Sequence, residues 1–279
     1  MEEFSSAEWG PQDIRMVFGG LSDTGAGLYA KESSGIKTLY DLKGKKVPWS
    51  TGAPGINVPT TAALAFANLT WDDVQKIEFP NYTASMSALK DGTVDVCYGF
   101  SDASTFIEMD GMPQGAVFLP MPADDVEGWK RLQEVCPYML PHDFTRGVDA
   151  TPEKPLAGGS YPYPLLVSYA DLDEELVYNM VKLILQNYDD FKDAHPGLVA
   201  WTEDRLVKQW KVPYHDGAIK YFKELGIWTD EDQKYNDALI ERGQKLQKAF
   251  DEAVTEAAEK QIKANEFSSF WLKKWETIN

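Results

Sequence analysis

Two short glycine-containing stretches carry residue types suited to holding a small anion: Ser50-Thr-Gly-Ala-Pro-Gly-Ile-Asn57 and Gly99-Phe-Ser-Asp-Ala103. The first sets Ser50, Thr51 and Asn57 around Gly52, Ala53, Pro54, Gly55 and Ile56, just ahead of a helical pattern from about Asn57 to Asn68. A helix N-terminus leaves several backbone N–H groups unpaired and bears partial positive charge, so such a turn receives an acid group. Gly52 and Gly55 allow close backbone approach. The competing reading is a plain β–α loop whose glycines serve geometry alone. The turn lacks the Gly-Lys-[Ser/Thr] ending of a phosphate loop, which argues against phosphoryl transfer. The second stretch offers Phe100, Ser101 and Asp102. Asp102 either takes an ammonium group or caps the following helix. Tyr82, Tyr161 and Tyr163 add rings with one directed hydroxyl each, as ligand contacts or as ordinary packing. Arg15 and Arg146 are the arginines placed for a carboxylate clamp.

Catalytic chemistry has no comparable signal. His142, His195 and His215 lie far apart without ligand spacing, so structural or surface roles are expected and no metal site. There is no Gly-x-Ser-x-Gly and no Cys/His pairing pattern. With 44 acidic residues, chance carboxylate pairs are expected. No catalytic residue and no cofactor is therefore assigned. Cys97 sits in the apolar run Val94–Phe100 and reads as a buried free thiol. A Cys97–Cys136 bridge in an oxidising compartment is the alternative.

The elements that must position these residues follow from pattern. Ile14–Phe18 reads as a strand, Lys45–Trp49 as a short strand, and Gly44 stops the turn before it. Thr70-Trp-Asp-Asp has a capping pattern, Val74–Phe79 is strand-like, and the helix from Asn81-Tyr82-Thr83 ends at Asp91-Gly92. Val94–Phe100 fits a central strand covered on both faces. Strand, helix, strand, helix, strand is doubly wound parallel-sheet logic, in which ligands sit beyond the carboxyl ends of the strands. Further on, Ser104–Met109 and Asp125–Tyr138 read as helices, Ala116–Leu119 as a strand, and 137–164 as a Pro/Gly-rich passage. Leu165–Ala170 reads as a strand, and Asp171 opens a helix through Tyr188. Asp216–Leu225 is a helix ended by Gly226. Glu231 to about Ala264 reads as one long polar helix whose narrow apolar stripe packs on the body of the protein, a partner surface being the alternative.

At 279 residues, one large or two small domains are expected. The net charge of −17 and pI near 4.6 exclude the basic face of a nucleic-acid binder. They also mean that an anion site must be local, because the overall field repels the ligand. No apolar run reaches the length of a membrane span, so no membrane insertion is expected. Met1-Glu-Glu-Phe-Ser-Ser is acidic and lacks the apolar stretch of a signal peptide.

Gly35-Ile-Lys-Thr-Leu-Tyr-Asp-Leu-Lys-Gly-Lys-Lys-Val47, the turn after it, and Ala88-Leu-Lys-Asp-Gly-Thr-Val-Asp95 resemble the second lobe of a type II periplasmic solute-binding protein. Three further segments narrow the resemblance to the TAXI family, the extracytoplasmic receptors of a class of TRAP transporters. They are Tyr29–Ile36, Tyr161 to Tyr178 with its Asp171-Leu-Asp-Glu-Glu, and Pro213-Tyr-His-Asp-Gly-Ala218. The resemblance implies a two-lobe α/β fold, with doubly wound sheets, hinge strands and a long C-terminal helix. Lobe one would comprise 1–34 and 161–279, and lobe two 35–160, with the hinge at Tyr161–Leu166. It implies an extracytoplasmic, periplasmic protein that is not an enzyme. A small carboxylate, an amino acid such as glutamate or an organic acid, would be held between lobes that close on it, and the closed form would dock on TRAP membrane permease subunits. Trp9 to Phe18 resembles the strand that leaves the first lobe's opening units, so further N-terminal units are expected ahead of it. The competing readings are an enzyme of deaminase or precursor-synthase type on the same fold, with Cys97 as its candidate reactive group, and a sensor domain without transport.

Overall fold

The computed structural model describes Phe4 and residues 6–276. The acidic start read at Met1–Ser6 lies outside the described residues apart from Phe4 and Ser6. In chain order the chain forms β1 (Ile14–Phe18), β2 (Ala26–Ala30), β3 (Lys46–Ser50), α1 (Pro54–Phe66), β4 (Gln75–Phe79), α2 (Tyr82–Asp91) and β5 (Val96–Phe100). There follow α3 (Ser104–Asp110), β6 (Val117–Phe118), α4 (Val126–Val135), β7 (Leu140–Phe144), β8 (Leu156–Ser160) and β9 (Leu166–Tyr169). The remainder is helical: α5 (Glu174–Gln186), α6 (Tyr188–Phe191), α7 (Asp216–Glu224), α8 (Asp230–Glu259) and α9 (Phe267–Glu276), with short 3-10 turns between. This is the mixed α/β class expected, with a long helix, α8, near the C-terminus.

The chain divides into two compact units. The first comprises Met1–Gly19, Leu165–Phe191 and Trp201–Asn279; the second comprises Gly20–Pro164 and Lys192–Ala200. Residues 20–34, expected with lobe one, belong to the second unit because β2 is hydrogen-bonded into that unit's sheet.

The second unit is built on a five-stranded sheet in which β2 pairs antiparallel with β5, β6 and β8, and β8 with β7. Alternation along β2 and β5 sends side chains to two cores. Ala26, Leu28, Ala30, Val96 and Tyr98 join one cluster with α1 and α4. Tyr29 and Cys97 join the other, with Phe106 and Phe118. The sheet is thus covered on both faces, but the strands around β2 are antiparallel, not parallel as the strand–helix order predicts. The parallel pair is β3 with β4, in register from Lys46↔Gln75 to Ser50↔Phe79. The Asp95 N–H donates to the Lys46 carbonyl at 2.9 Å, so β5 sets out from the same end as β3. The strands β7 and β8 arise inside the passage expected to be Pro/Gly-rich loop. Leu-Pro-His-Asp-Phe and Leu-Ala-Gly-Gly-Ser have weak strand propensity, and only their partners make them strands.

Local rules fixed the ends of many elements. Asn81 caps α2 by accepting from Ala84 N–H at 2.9 Å, and Gly92, at φ 86°, stops it. Asp125 caps α4, and Thr229 with Asp232 forms a full capping box on α8. Helix α1 starts three residues before its predicted start, with Pro54 at its first position.

In the first unit, β1 pairs antiparallel with β9, and α5 packs on α7. His215 caps α7: Nδ1 accepts from Gly217 N–H at 3.1 Å and Nε2–H donates to the Leu172 carbonyl at 3.0 Å. That is the physical content of the Pro-x-His-x-Gly-Ala segment. Phe250, Phe267, Trp271 and Trp275 close α9 onto α8, with Trp271 and Trp275 stacked at 5.5 Å. Among the described residues, no helix is long and apolar enough to cross a membrane.

Candidate functional site

All fourteen residues read as ligand contacts fall in the second unit. The turn from Ser50 to Asn57 is built by its own side chains. Ser50 N–H donates to Asn57 Oδ1 and Asn57 Nδ2 donates to the Ser50 carbonyl, both at 2.8 Å, while Ser50 Oγ accepts from Ala53 N–H at 3.1 Å. Thr51 donates its N–H and its hydroxyl to the Phe79 carbonyl at 2.8 and 3.1 Å, stitching the turn to the loop after β4. Ser50 and Asn57 are buried, whereas Thr51, Gly52, Pro54 and Gly55 are exposed and Ala53 and Ile56 are half-buried. The polar side chains therefore hold the turn's shape, and what faces outward is backbone. Gly52 is required here: a Cβ on it would stand 2.3 Å from the Pro80 carbonyl oxygen. Gly55 is not, since a Cβ there meets nothing within 4 Å.

Behind this turn α1 runs for 13 residues and has no side-chain cap. Its first turn keeps the positive end of the helix dipole at the exposed glycines. Pro59 lies inside α1 and has no N–H to give the Gly55 carbonyl four residues back.

The loop after β5 is held differently. Ser101 is fully buried; its N–H donates to the Gly25 carbonyl at 2.8 Å, its Oγ accepts from Gly25 N–H at 3.1 Å, and its hydroxyl donates to the Arg146 carbonyl. Ser101 is a tie between loops. Asp102 does not cap α3, whose first flanking residue is Ala103 with no side-chain bond. Its charge instead lies near the Tyr29 phenol, which is raised above the ordinary tyrosine value first by burial and then by Asp102. Of the two arginines read as clamp candidates, Arg15 is in the first unit, donating to the Asp13 carboxylate and the Ile14 carbonyl, and Arg146 is exposed in the second.

Tyr161 and Tyr163 come together with Phe100, whereas Tyr82 packs on the other core, with Tyr29 and Cys97. Phe100 stacks on Tyr163 at 4.8 Å and meets Tyr161 edge-on at 5.5 Å, and Tyr161 meets Tyr138 at 5.6 Å. Ile56, Phe100, Tyr138 and Tyr161 pack on the core cluster to which Tyr98 belongs. Tyr82 begins α2, and its hydroxyl lies 2.8 Å from where a Cβ on Gly99 would be, so Gly99 makes room for it. Burial raises the phenols of Tyr82, Tyr98, Tyr138 and Tyr161, pushing Tyr161 up to about 12. These phenols stay protonated and able to donate. Tyr98 and Tyr138 were not read from the sequence as site residues; alternation along β5 from Phe100 is the signal that puts Tyr98 on the same face.

Cys97 and Cys136 are both free and buried. They lie in the two different cores, so the sheet stands between them and no bridge forms. Burial pushes the Cys97 thiol up to about 12, which leaves it protonated and unreactive. A separate cavity of about 680 Å³ lies in the first unit, where Phe4, Pro11 and Ile14 face Leu246 and Gln247 of α8; none of the predicted contacts lines it.

Among solved structures, the chain is similar to the periplasmic aliphatic sulphonate binding protein SsuA of Escherichia coli, 26% identical over 38% of this chain and 33% of that one, TM-score 0.30. It is also similar to a putative sulfonate ABC transporter's periplasmic sulfonate-binding protein SsuA of Methylobacillus flagellatus KT, 16% identical over 79% and 46%, TM-score 0.32. The L-cystine solute receptor of Neisseria gonorrhoeae is 16% identical over 66% and 59%, TM-score 0.31. The chain thus spans less than two thirds of the length of these structures, and likenesses of this size fix neither fold nor ligand. The profile of the NMT1-like family, by contrast, matches residues 6–226. With that span of its 279 residues matched, the chain belongs to the NMT1-like family.

Proposed function

We propose that this chain is an extracytoplasmic solute-binding receptor of a TRAP-type transporter of the TAXI kind, and that it captures a small carboxylate, such as glutamate or another amino or organic acid. The observation that carries this reading is the Ser50–Asn57 turn. Its side chains are spent on its own geometry, and the exposed backbone at Gly52 and Gly55 lies at the uncapped N-terminal end of α1, where the positive end of the helix dipole receives an anion. The half-buried rings of Phe100 and Tyr161 supply apolar contact near by, and protonated phenols supply neutral donors. Such donors bind a carboxylate without a cationic side chain, which suits a local anion site on a chain of charge −17. The receptor then delivers the solute to TRAP membrane permease subunits. The role is binding and not catalysis: the cysteine that an enzyme reading needs is buried and protonated.

A thermal-shift screen of amino acids and di- and tricarboxylates tests this. A compound at a hundred times its Kd stabilises by about 2.7 kcal/mol, which is a rise of about 5 °C for a chain of this size. If no compound raises the melting temperature, the carboxylate reading fails. Gly55→Val, placed in open space, should keep the fold and lose the shift; an unchanged shift removes the turn from the site.

A further inference from the structure

Tyr98 stands at the inner end of the aromatic array. It is 4% exposed, and its hydroxyl has no hydrogen-bond partner. From it the rings grade outward through half-buried Tyr138 and Tyr161 to Tyr163, which is 38% exposed. Apolar packing alone asks for phenylalanine here, because a buried unpaired hydroxyl forfeits its hydration for nothing in return. In the second unit the Tyr29 hydroxyl is also unpaired, and the two orphans are not equivalent. Tyr29 stacks on Phe106 at 3.9 Å in the opposite core, away from the cluster that carries Ile56 and Phe100. Tyr98 instead belongs to the cluster on which Phe100, Tyr138 and Tyr161 pack, with the Tyr161 and Tyr138 phenols near its hydroxyl.

We infer that Tyr98 is a specificity-determining residue of the proposed site, and that its buried hydroxyl donates a hydrogen bond to an oxygen acceptor at the inner end of the bound molecule. The inference rests on the carboxylate-binding reading above. In it the turn at α1 holds one end of the solute, the rings sort it by shape, and Tyr98 rejects molecules whose inner end is apolar, since these leave its hydroxyl unpaired. Every phenol beside it is protonated, so the contact is neutral and independent of pH across the physiological range.

The test is Tyr98→Phe, an isosteric change, with Tyr29→Phe, which removes the other unpaired hydroxyl in the opposite core, as control. Titration calorimetry uses L-glutamate, 2-oxoglutarate and citrate as probes, and melting is measured without them. Tyr98→Phe should melt at or above the wild-type temperature, because it removes an orphan hydroxyl, and should bind the best probe about tenfold more weakly. Tyr29→Phe should change Kd by less than about twofold. An unchanged Kd in Tyr98→Phe overturns the assignment while leaving the receptor reading intact. A clear drop in its unliganded melting temperature also overturns it, by showing that the hydroxyl is paired inside the protein. If the wild-type protein binds none of the three probes and no compound of the thermal-shift screen, the carboxylate reading falls, and the role of Tyr98 with it.

Discussion

Gly52→Ala forces a methyl group against a backbone carbonyl. The new Cβ would stand 2.3 Å from Pro80 O, whereas ordinary contact begins at 3.4 Å, so the loops after β3 and β4 must part by about 1 Å. No side-chain rotation relieves this, because the obstacle is main chain. Parting the loops also stretches the two bonds that Thr51 gives the Phe79 carbonyl. Overpacking of this kind costs about 1–3 kcal/mol and each lost hydrogen bond about 1 kcal/mol, so a net loss of about 2–3 kcal/mol is expected. That corresponds to a fall in melting temperature of about 3–5 °C. Gly55→Ala, three residues on and in open space, should stay within about 0.5 kcal/mol of wild type. Urea unfolding of both variants, followed by intrinsic fluorescence, measures the pair; Trp49 lies in β3 itself and reports on this region. If Gly52→Ala unfolds at the wild-type midpoint, the close approach of the two loops is not what the glycine serves, and the account of the turn is wrong.

Two further outcomes follow from titratable groups. Asp232 is opposed by burial, yet hydrogen bonds from Thr229, Lys208 and Gln209 hold it down at about 2, against an ordinary 3.8. A depressed carboxylate contributes stability above its unfolded value, so about 2 kcal/mol should be lost as pH falls from about 4 to about 2. Asp232→Asn should flatten that part of the stability–pH curve, measured by urea midpoints; an identical curve in the variant refutes the assignment. Cys97 and Cys136, buried and free, should react with a thiol reagent only after denaturation, and one fast-labelling thiol in the native protein would reopen the enzymatic reading.

Much of the local structure was legible because it depends on near neighbours. Asn81, Asp125 and Thr229 cap helices for reasons contained within four residues. The Ser50–Asn57 turn was legible as a helix-terminal loop for the same reason. What its side chains do was not. Ser50 and Asn57 looked like ligand contacts and instead bond each other, because seven residues apart in sequence they become adjacent once α1 folds back over the end of β3. Asp102 fits a cap by position, yet α3 starts after Ala103 without one.

The sequence by itself determined the α/β class, the alternation that gives Val96–Phe100 two faces, and the acidic balance that makes any anion site local. It did so because periodicity, capping and net charge are properties of neighbouring residues or of their sum. Only the tertiary structure decided that β2 joins the second unit, that Leu140–Phe144 and Leu156–Ser160 are strands, and that Tyr98 and Tyr138 stand with Phe100 and Tyr161. Each of these depends on which distant segment supplies a hydrogen-bond or packing partner, and the partners lie tens of residues away along the chain.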